Sequence, residues 1–555
     1  IKMNVVILPL DDRPVNYDYL VTLAAIANVQ ATLPPRQWLG NPWRTAQHDS
    51  LLNWLKKSAE SADAVIVAGD TLAYGGLIPS RTSTETYETC AQKLLILAEL
   101  RAQKPECPIL ASSVIQRVSR ANSSEEEKPY WAIYGSRMFR LSMLEHKSAL
   151  NDASLQEIAE RDRLKQEIPA EVYSDYAAIR TRNHQVNLLM LDLVKKGVID
   201  YLLLPQDDTA DYGWNIAEAR KLQMLIRRDG LTENAITYPG ADEIGCLLLA
   251  RLICTQNNFF PKTFPRFSSS SSASIITEYE DRPMLEMLKA HLAPLNGVVA
   301  DTAVDADFML FINAPAIKQG VGELQWAAQF SHEELLEKAP ASLKGYVEEL
   351  FDNPYFQVTR REMQTPHRSP EEFCRAILAA IRSEKLVAVA DVAFVNGSDL
   401  ILGSQLIQHT EIAHLAAYGG WNTAGNTLGT VLAQVVIYSI ARKKGIKPDQ
   451  LKAHIEFLFL RFLDDYCYQA LERSLCMFED LPTFGLPPTE ERLPDGEIAQ
   501  AVERLVAQRL QVQAKILNNR FQESGLIKSI EITDIYLPWQ RLFEIGCTVH
   551  ASFEI

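Results

Sequence analysis

Short runs of apolar residues recur along the chain, separated by longer stretches whose apolar positions repeat with a helical period. Such runs, bounded by turn formers, read as buried strands. The pattern predicts strands at Val5–Leu10, Ala64–Gly69, Pro108–Val114, Tyr201–Pro205, Ala235–Pro239, Asp307–Ile312, Leu386–Val392 and Ala413–Tyr418. Strands alternating with helices specify an α/β protein with a mostly parallel sheet. Eight strands suit a (β/α)8, TIM-like barrel. Val29–Leu33 and Phe264–Ser268 also have strand character, and either would turn the barrel into doubly wound parallel sheets, which is the alternative.

Between the third and fourth runs, Ser123–Lys196 is an insertion with helical periodicity over Leu155–Glu167 and Tyr173–Val194, placed to roof the active face. Ser268–Ser272 has too few apolar groups to repay ordering and is expected to be a flexible surface loop. Beyond Gly429 the pattern turns helical, and Ile527–Ile535 and Arg541–Phe553 alternate as a terminal hairpin would. A length of 555 residues exceeds what one core usually supports. The expected division is a catalytic barrel-like domain over 3–445, containing the insertion 123–196, and a mostly helical C-terminal domain over 446–555 with the hairpin.

Composition narrows the function classes. Hydrophobic residues are 47% and charged residues 23%, ordinary for a globular chain, and no run is expected to reach the ~18 to 20 apolar residues of a membrane span. Acidic residues outnumber basic ones by 70 to 55, a net charge of -15, and no basic stripe offsets it, so nucleic acid is a poor partner and no membrane is expected. The opening strand runs directly into Asp11-Asp12-Arg13 without a cleavage signal, which points to the cytoplasm. Cys90, Cys107, Cys246, Cys254, Cys374, Cys467, Cys476 and Cys547 show no CxxC and no zinc-type spacing with His, so buried thiols are expected. HExxH, GxSxG and Walker signatures are also missing from the sequence.

Parallel α/β folds bind ligands beyond the carboxyl ends of their strands. Those ends carry Asp11, Asp12 and Arg13; Asp70 and Tyr74; Arg117; Asp207, Asp208 and, just beyond, Trp214; Asp242 and Glu243; Asn313; Asp391 and Asn396; and Trp421, Asn422 and Asn426. Any single Asp there is as easily a turn or helix cap, but the recurrence at so many strand ends favours a site. Flat aromatic faces with carboxylates and amides suit a small carbohydrate, so these residues are the candidate substrate-binding set.

Asp207-Asp208 is the candidate catalytic pair. Each carboxylate disfavours the other's charge, which raises one toward neutrality and yields a proton donor at physiological pH. The pair resembles that of barrel enzymes that cleave N-acetylhexosamine glycosides by substrate assistance. The resemblance implies that Asp207 orients the 2-acetamido group and Asp208 is the general acid/base, with no metal or other cofactor. The same carboxylates are hard oxygen ligands, so an Mg²⁺- or Mn²⁺-dependent hydrolase or phosphotransfer enzyme is the alternative. A non-catalytic sugar-binding protein built as two open lobes is the other.

Four separated segments, Leu8-Pro9-Leu10-Asp11-Asp12-Arg13-Pro14-Val15-Asn16, Gln206-Asp207-Asp208, Glu278-Tyr279-Glu280-Asp281-Arg282-Pro283 and Gly420-Trp421-Asn422-Thr423-Ala424-Gly425-Asn426, resemble a bacterial family catalogued as domain of unknown function 4127. The resemblance covers nearly the whole chain and implies no particular reaction.

Overall fold

All eight apolar runs contribute strands in the computed structural model, which describes residues 2–553. The first sheet holds β1 (Asn4–Leu8), β2 (Gln30–Thr32), β3 (Ala64–Ala68), β4 (Ile109–Ser112), β5 (Tyr201–Gln206) and β6 (Ala235–Pro239), all parallel, in the order β2-β1-β3-β4-β5-β6. The five residues of β3, Ala-Val-Ile-Val-Ala, are all buried, as expected of a parallel strand covered on both faces. The second sheet holds β7 (Lys262–Phe267), β8 (Val298–Val299), β9 (Phe308–Asn313), β11 (Val387–Asp391) and β13 (Ala417–Gly419), again parallel, in the order β8-β7-β9-β11-β13. Two-residue strands β10 (Gly320–Val321) and β12 (Phe394–Val395) pair with each other. Antiparallel β14 (Ser529–Tyr536) and β15 (Gly546–Ser552) form the expected terminal hairpin.

The eight-stranded barrel is therefore replaced by two open parallel sheets, an arrangement compatible with doubly wound α/β winding. The cause lies in the two weak runs. Gln30–Thr32 forms an edge and Lys262–Phe267 opens a second sheet, and each carries polar, incompletely buried positions that mute its hydrophobic signal. Counted from the first strand of each, both sheets start in the order second, first, third, fourth, fifth. The last predicted strand also begins later than expected, because residues 410–414, including His414, form a 3₁₀ turn.

The chain divides into two compact units near residue 250, not at 446. One comprises residues up to Ala24, Asn28–Leu249 and Tyr279–Asp281; the other comprises Ala25–Ala27, Ala250–Glu278 and everything from Arg282. The C-terminal segment does not stand apart, since Leu510, Phe521 and Ile530 share one core with Phe311, Val387 and Val389 of the second sheet. The helix Ala424–Lys443 in that unit is long and apolar enough to cross a membrane by length and composition alone, although Asn426, Thr427, Thr430 and Gln434 interrupt its apolar runs, and its most apolar window is entirely buried.

Ser268–Ser272 is not a flexible surface loop. Ser268 donates to the carbonyl of Ala314 at 2.9 Å, Ser271 to Ala316 at 2.8 Å, and Ser272 to Ala314 and Pro315 at 3.0 Å each. The hydroxyls join the loop after β7 to the loop after β9, replacing the apolar contacts the segment lacks. Of the cysteines, seven are buried and Cys547 is partly exposed, and none forms a disulfide.

Candidate functional site

In the first sheet the strand order reverses between β1 and β3, and ligands of open α/β sheets bind at such a point beyond the carboxyl ends. The two strand ends are tied together there: the Thr71 hydroxyl donates to the carbonyls of Pro9 at 2.7 Å and Leu10 at 3.0 Å. Asp11 accepts from the backbone N–H and guanidinium of Arg13 and from Asn16 Nδ2, and Arg13 reaches Asp242 at 2.5 Å. Asp12 pairs with Arg44 at 3.2 Å and accepts from Asn41. Asp70 is 2% exposed and accepts from the backbone N–H of Val114 at 3.0 Å. Burial pushes its carboxyl up to about 7 against that hydrogen bond.

The acidic pair directly follows β5. Asp207 meets Arg81, on the short helix Leu77–Thr82, at 2.5 Å. Arg81 also donates to Glu126 at 3.0 Å, and Arg117 binds Glu126 and Glu127 at 3.0 Å each and lies 3.5 Å from Asp208. Burial, then the charge of Asp207, push the Asp208 carboxyl up to about 6, with Arg117, Arg81 and Arg120 pulling the other way. The Asp208 side chain nevertheless keeps 28% of its surface exposed. Its φ of 52° lies in the left-handed region, which Asp tolerates better than most residues, and its carbonyl accepts from Asn215 Nδ2 at 2.9 Å. Next in the chain, Thr209 donates through its backbone N–H and hydroxyl to the carbonyl of Tyr279, and the Arg120 guanidinium covers the Tyr279 ring at 4.8 Å.

The helical insertion builds this site as well as flanking it. Its first residues supply Glu126 and Glu127, and its helix Ala170–Lys195 holds the carbonyl of Arg117 through the Tyr176 hydroxyl and Arg180. Tyr74 and Trp214 are engaged in packing. The Tyr74 ring is 4% exposed and lies under the Arg182 guanidinium, and the Trp214 indole contacts Tyr173 and Tyr176 and donates to Glu145. Glu243 is wholly buried and folds back toward the turn at Gly240, whose φ of 131° suits glycine.

The remaining predicted residues belong to the second unit. Asn313 donates to Asp391 at 2.8 Å and to Asp399 at 3.2 Å, and Arg368 donates to Asn313 and to Asp399. Burial, then the charge of Asp399, push Asp391 up to about 8; burial acts on Asp399 too, but Arg368, Asn313 and the backbone N–H of Ile401 together hold it below the usual range. The backbone N–H of Asn396 bonds the carbonyl of Asn422, the Trp421 indole donates to the carbonyl of Phe543, and Asn426 donates to Thr423, which caps its helix. Asp465, unmarked by the strand-end reading, accepts from the backbone N–H of Gly420 at 2.7 Å from within an irregular π-helical stretch, Phe462–Glu472. Among the described residues, no group of three or more His, Cys, Asp or Glu side chains is arranged to hold a metal ion.

A family model described as "Protein of unknown function (DUF4127)" matches residues 5–548. The chain belongs to this DUF4127 family. No curated protein and no solved structure matches it. Within this DUF4127 member, the motif stretch after β1 supplies Asp11 and Arg13, which also binds Asp242, and the stretch after β5 supplies Asp207, which binds Arg81. Arg81 is not in the candidate substrate-binding set, and Glu126 and Glu127 carry no spacing signal; all three are recognised from their partners.

Proposed function

We propose that this protein is a glycoside hydrolase that removes a terminal N-acetylhexosamine by substrate-assisted acid/base catalysis, with Asp208 as proton donor. The observation that carries the reading is the asymmetry of the pair: Asp207 is engaged by Arg81 at 2.5 Å, whereas Asp208, raised to about 6, keeps its proton in mildly acidic solution and an exposed side-chain edge. General acid catalysis needs that combination. In the reaction, the acetamido oxygen attacks the anomeric carbon while its bond to the leaving oxygen breaks. Asp208 gives its proton to that oxygen, and Asp207 accepts from the acetamido N–H. Water then opens the cyclic intermediate, returning its proton to Asp208. The left-handed backbone at Asp208 supports the assignment, because conformations of this kind gather at functional sites.

A second reading, binding without turnover, is favoured by one observation: the chain is built as two α/β units whose sheets start with the same strand order. Hydrolysis of N-acetylhexosaminides by the wild type and by Asp208→Asn separates the two. The enzyme reading expects turnover that the substitution removes, and the binding reading expects no turnover in either protein.

A further inference from the structure

Gln116 is 3% exposed, and its Oε1 accepts from Asn183 Nδ2 at 2.7 Å. The orientation of this amide is fixed by its neighbours. Arg182 Nε donates to Asn183 Oδ1, so Asn183 must present its NH₂ group, which it divides between the carbonyl of Ser80 and Gln116. Gln116 can receive that NH₂ only with its oxygen, which turns its own NH₂ group the other way. There Nε2 is buried and has no hydrogen-bond partner among the described residues, and the same holds for Nε of Arg81, which is 2% exposed. A buried N–H left unpaired is costly, so each of the two calls for an acceptor.

The residues that carry the two donors are linked through Asn183, which bridges Gln116 and the carbonyl of Ser80, the residue before Arg81. Ile115 bridges Gln206 in parallel register and its carbonyl accepts from the backbone N–H of Asp207, so Gln116 stands level with Asp207, the residue that Arg81 binds. The charge of that neighbourhood is already acidic: Arg81, Arg117 and Arg120 stand against Glu126, Glu127, Asp207 and Asp208. A substrate carboxylate or phosphate would add to an excess of negative charge. A hydroxyl would bring a proton needing its own acceptor, whereas a neutral carbonyl oxygen has two lone pairs and no proton.

We propose that Gln116 and Arg81 form a subsite for an uncharged acyl-amide carbonyl of the substrate, beside the Asp207-Asp208 pair. The inference rests on the glycosidase reading for its choice of sugar ligands, and binding is therefore measured apart from turnover. The test is calorimetric titration of the full chain with N-acetylglucosamine, glucosamine, glucose and glucuronate, using wild type and Gln116→Leu, with far-ultraviolet circular dichroism to verify folding. Wild type is expected to bind N-acetylglucosamine at least about tenfold more tightly than the other three, the effect of one or two well-made hydrogen bonds. Gln116→Leu is expected to lose most of that preference. Wild type showing no preference for the N-acetyl sugar, or preferring glucuronate, overturns the subsite, as does a folded Gln116→Leu protein with undiminished preference. Should Gln116→Leu not fold, the ranking by wild type decides alone. Preference for the N-acetyl sugar without hydrolysis of any N-acetylhexosaminide would keep the subsite and remove the glycosidase.

Discussion

Arg81 and Asp207 stand 126 residues apart in sequence and meet at 2.5 Å inside the first unit. With Arg81 at 2% exposure and Asp207 at 7%, neither charge is left to water, and breaking such a pair costs more than the pair itself contributes. Arg81→Met should therefore destabilise the protein by about 3 to 5 kcal/mol. Adding Asp207→Asn should recover part of the loss. Urea unfolding of the single and double variants measures both, and equal stability of wild type and Arg81→Met would show that the pair does not hold this site together.

The pH profile follows from Asp208. A proton donor raised to about 6 makes kcat/KM fall as the pH rises through that value. Arg117 pulls this carboxyl down, so Arg117→Met should move the falling limb to higher pH. A limb that stays in place, or moves to lower pH, would remove Arg117 from control of the donor.

Asp70 gives a stability counterpart with a definite sign. Its folded carboxyl lies near 7, above the ordinary 3.8, so the native state holds a proton that the unfolded chain releases. That contribution is complete below about pH 4 and is lost as pH rises through about 7. Asp70→Asn keeps an acceptor for Val114 and removes the ionisation. Melting temperatures should be nearly equal for wild type and variant at pH 4, with the variant higher at pH 8 by the equivalent of a few kcal/mol at most. A variant less stable at pH 8 would mean that Asp70 is a useful anion in the folded protein.

Metal dependence separates the carboxylates' two possible uses. Asp11 and Asp207 both face guanidinium partners. Turnover is accordingly expected to survive dialysis against a chelator, and activity regained only on adding Mg²⁺ or Mn²⁺ would reassign these side chains as ligands.

Much of the fold was legible because a parallel strand covered on both faces is an unbroken apolar run, as in Ala64–Ala68. Whether the sheet closed was left open by the sequence, because it depended on Gln30–Thr32 and Lys262–Phe267, where polar and half-buried positions weaken the strand signal that Val29–Leu33 and Phe264–Ser268 carry. The order of the serine loop was hidden for a related reason: its partners are backbone carbonyls of residues 314–316, which leave no mark in composition. Of the site, Asp207 and Asp208 could be read from their place after an apolar strand. Arg81, Glu127 and Gln116 could not, since their roles depend on contacts between distant segments. Trp421 and Asn422 looked equivalent to the residues after β5, but they belong to the other unit.

The most direct test is hydrolysis of aryl and alkyl N-acetylhexosaminides by wild type and Asp208→Asn. An aryl leaving group needs little protonation and an alkyl one needs much, so loss of the donor should slow the alkyl substrate by at least about 100-fold and the aryl substrate less. That difference is the predicted result. No turnover of either substrate by wild type, or equal rates in wild type and Asp208→Asn on the alkyl substrate, would contradict the assignment of Asp208 as the catalytic acid.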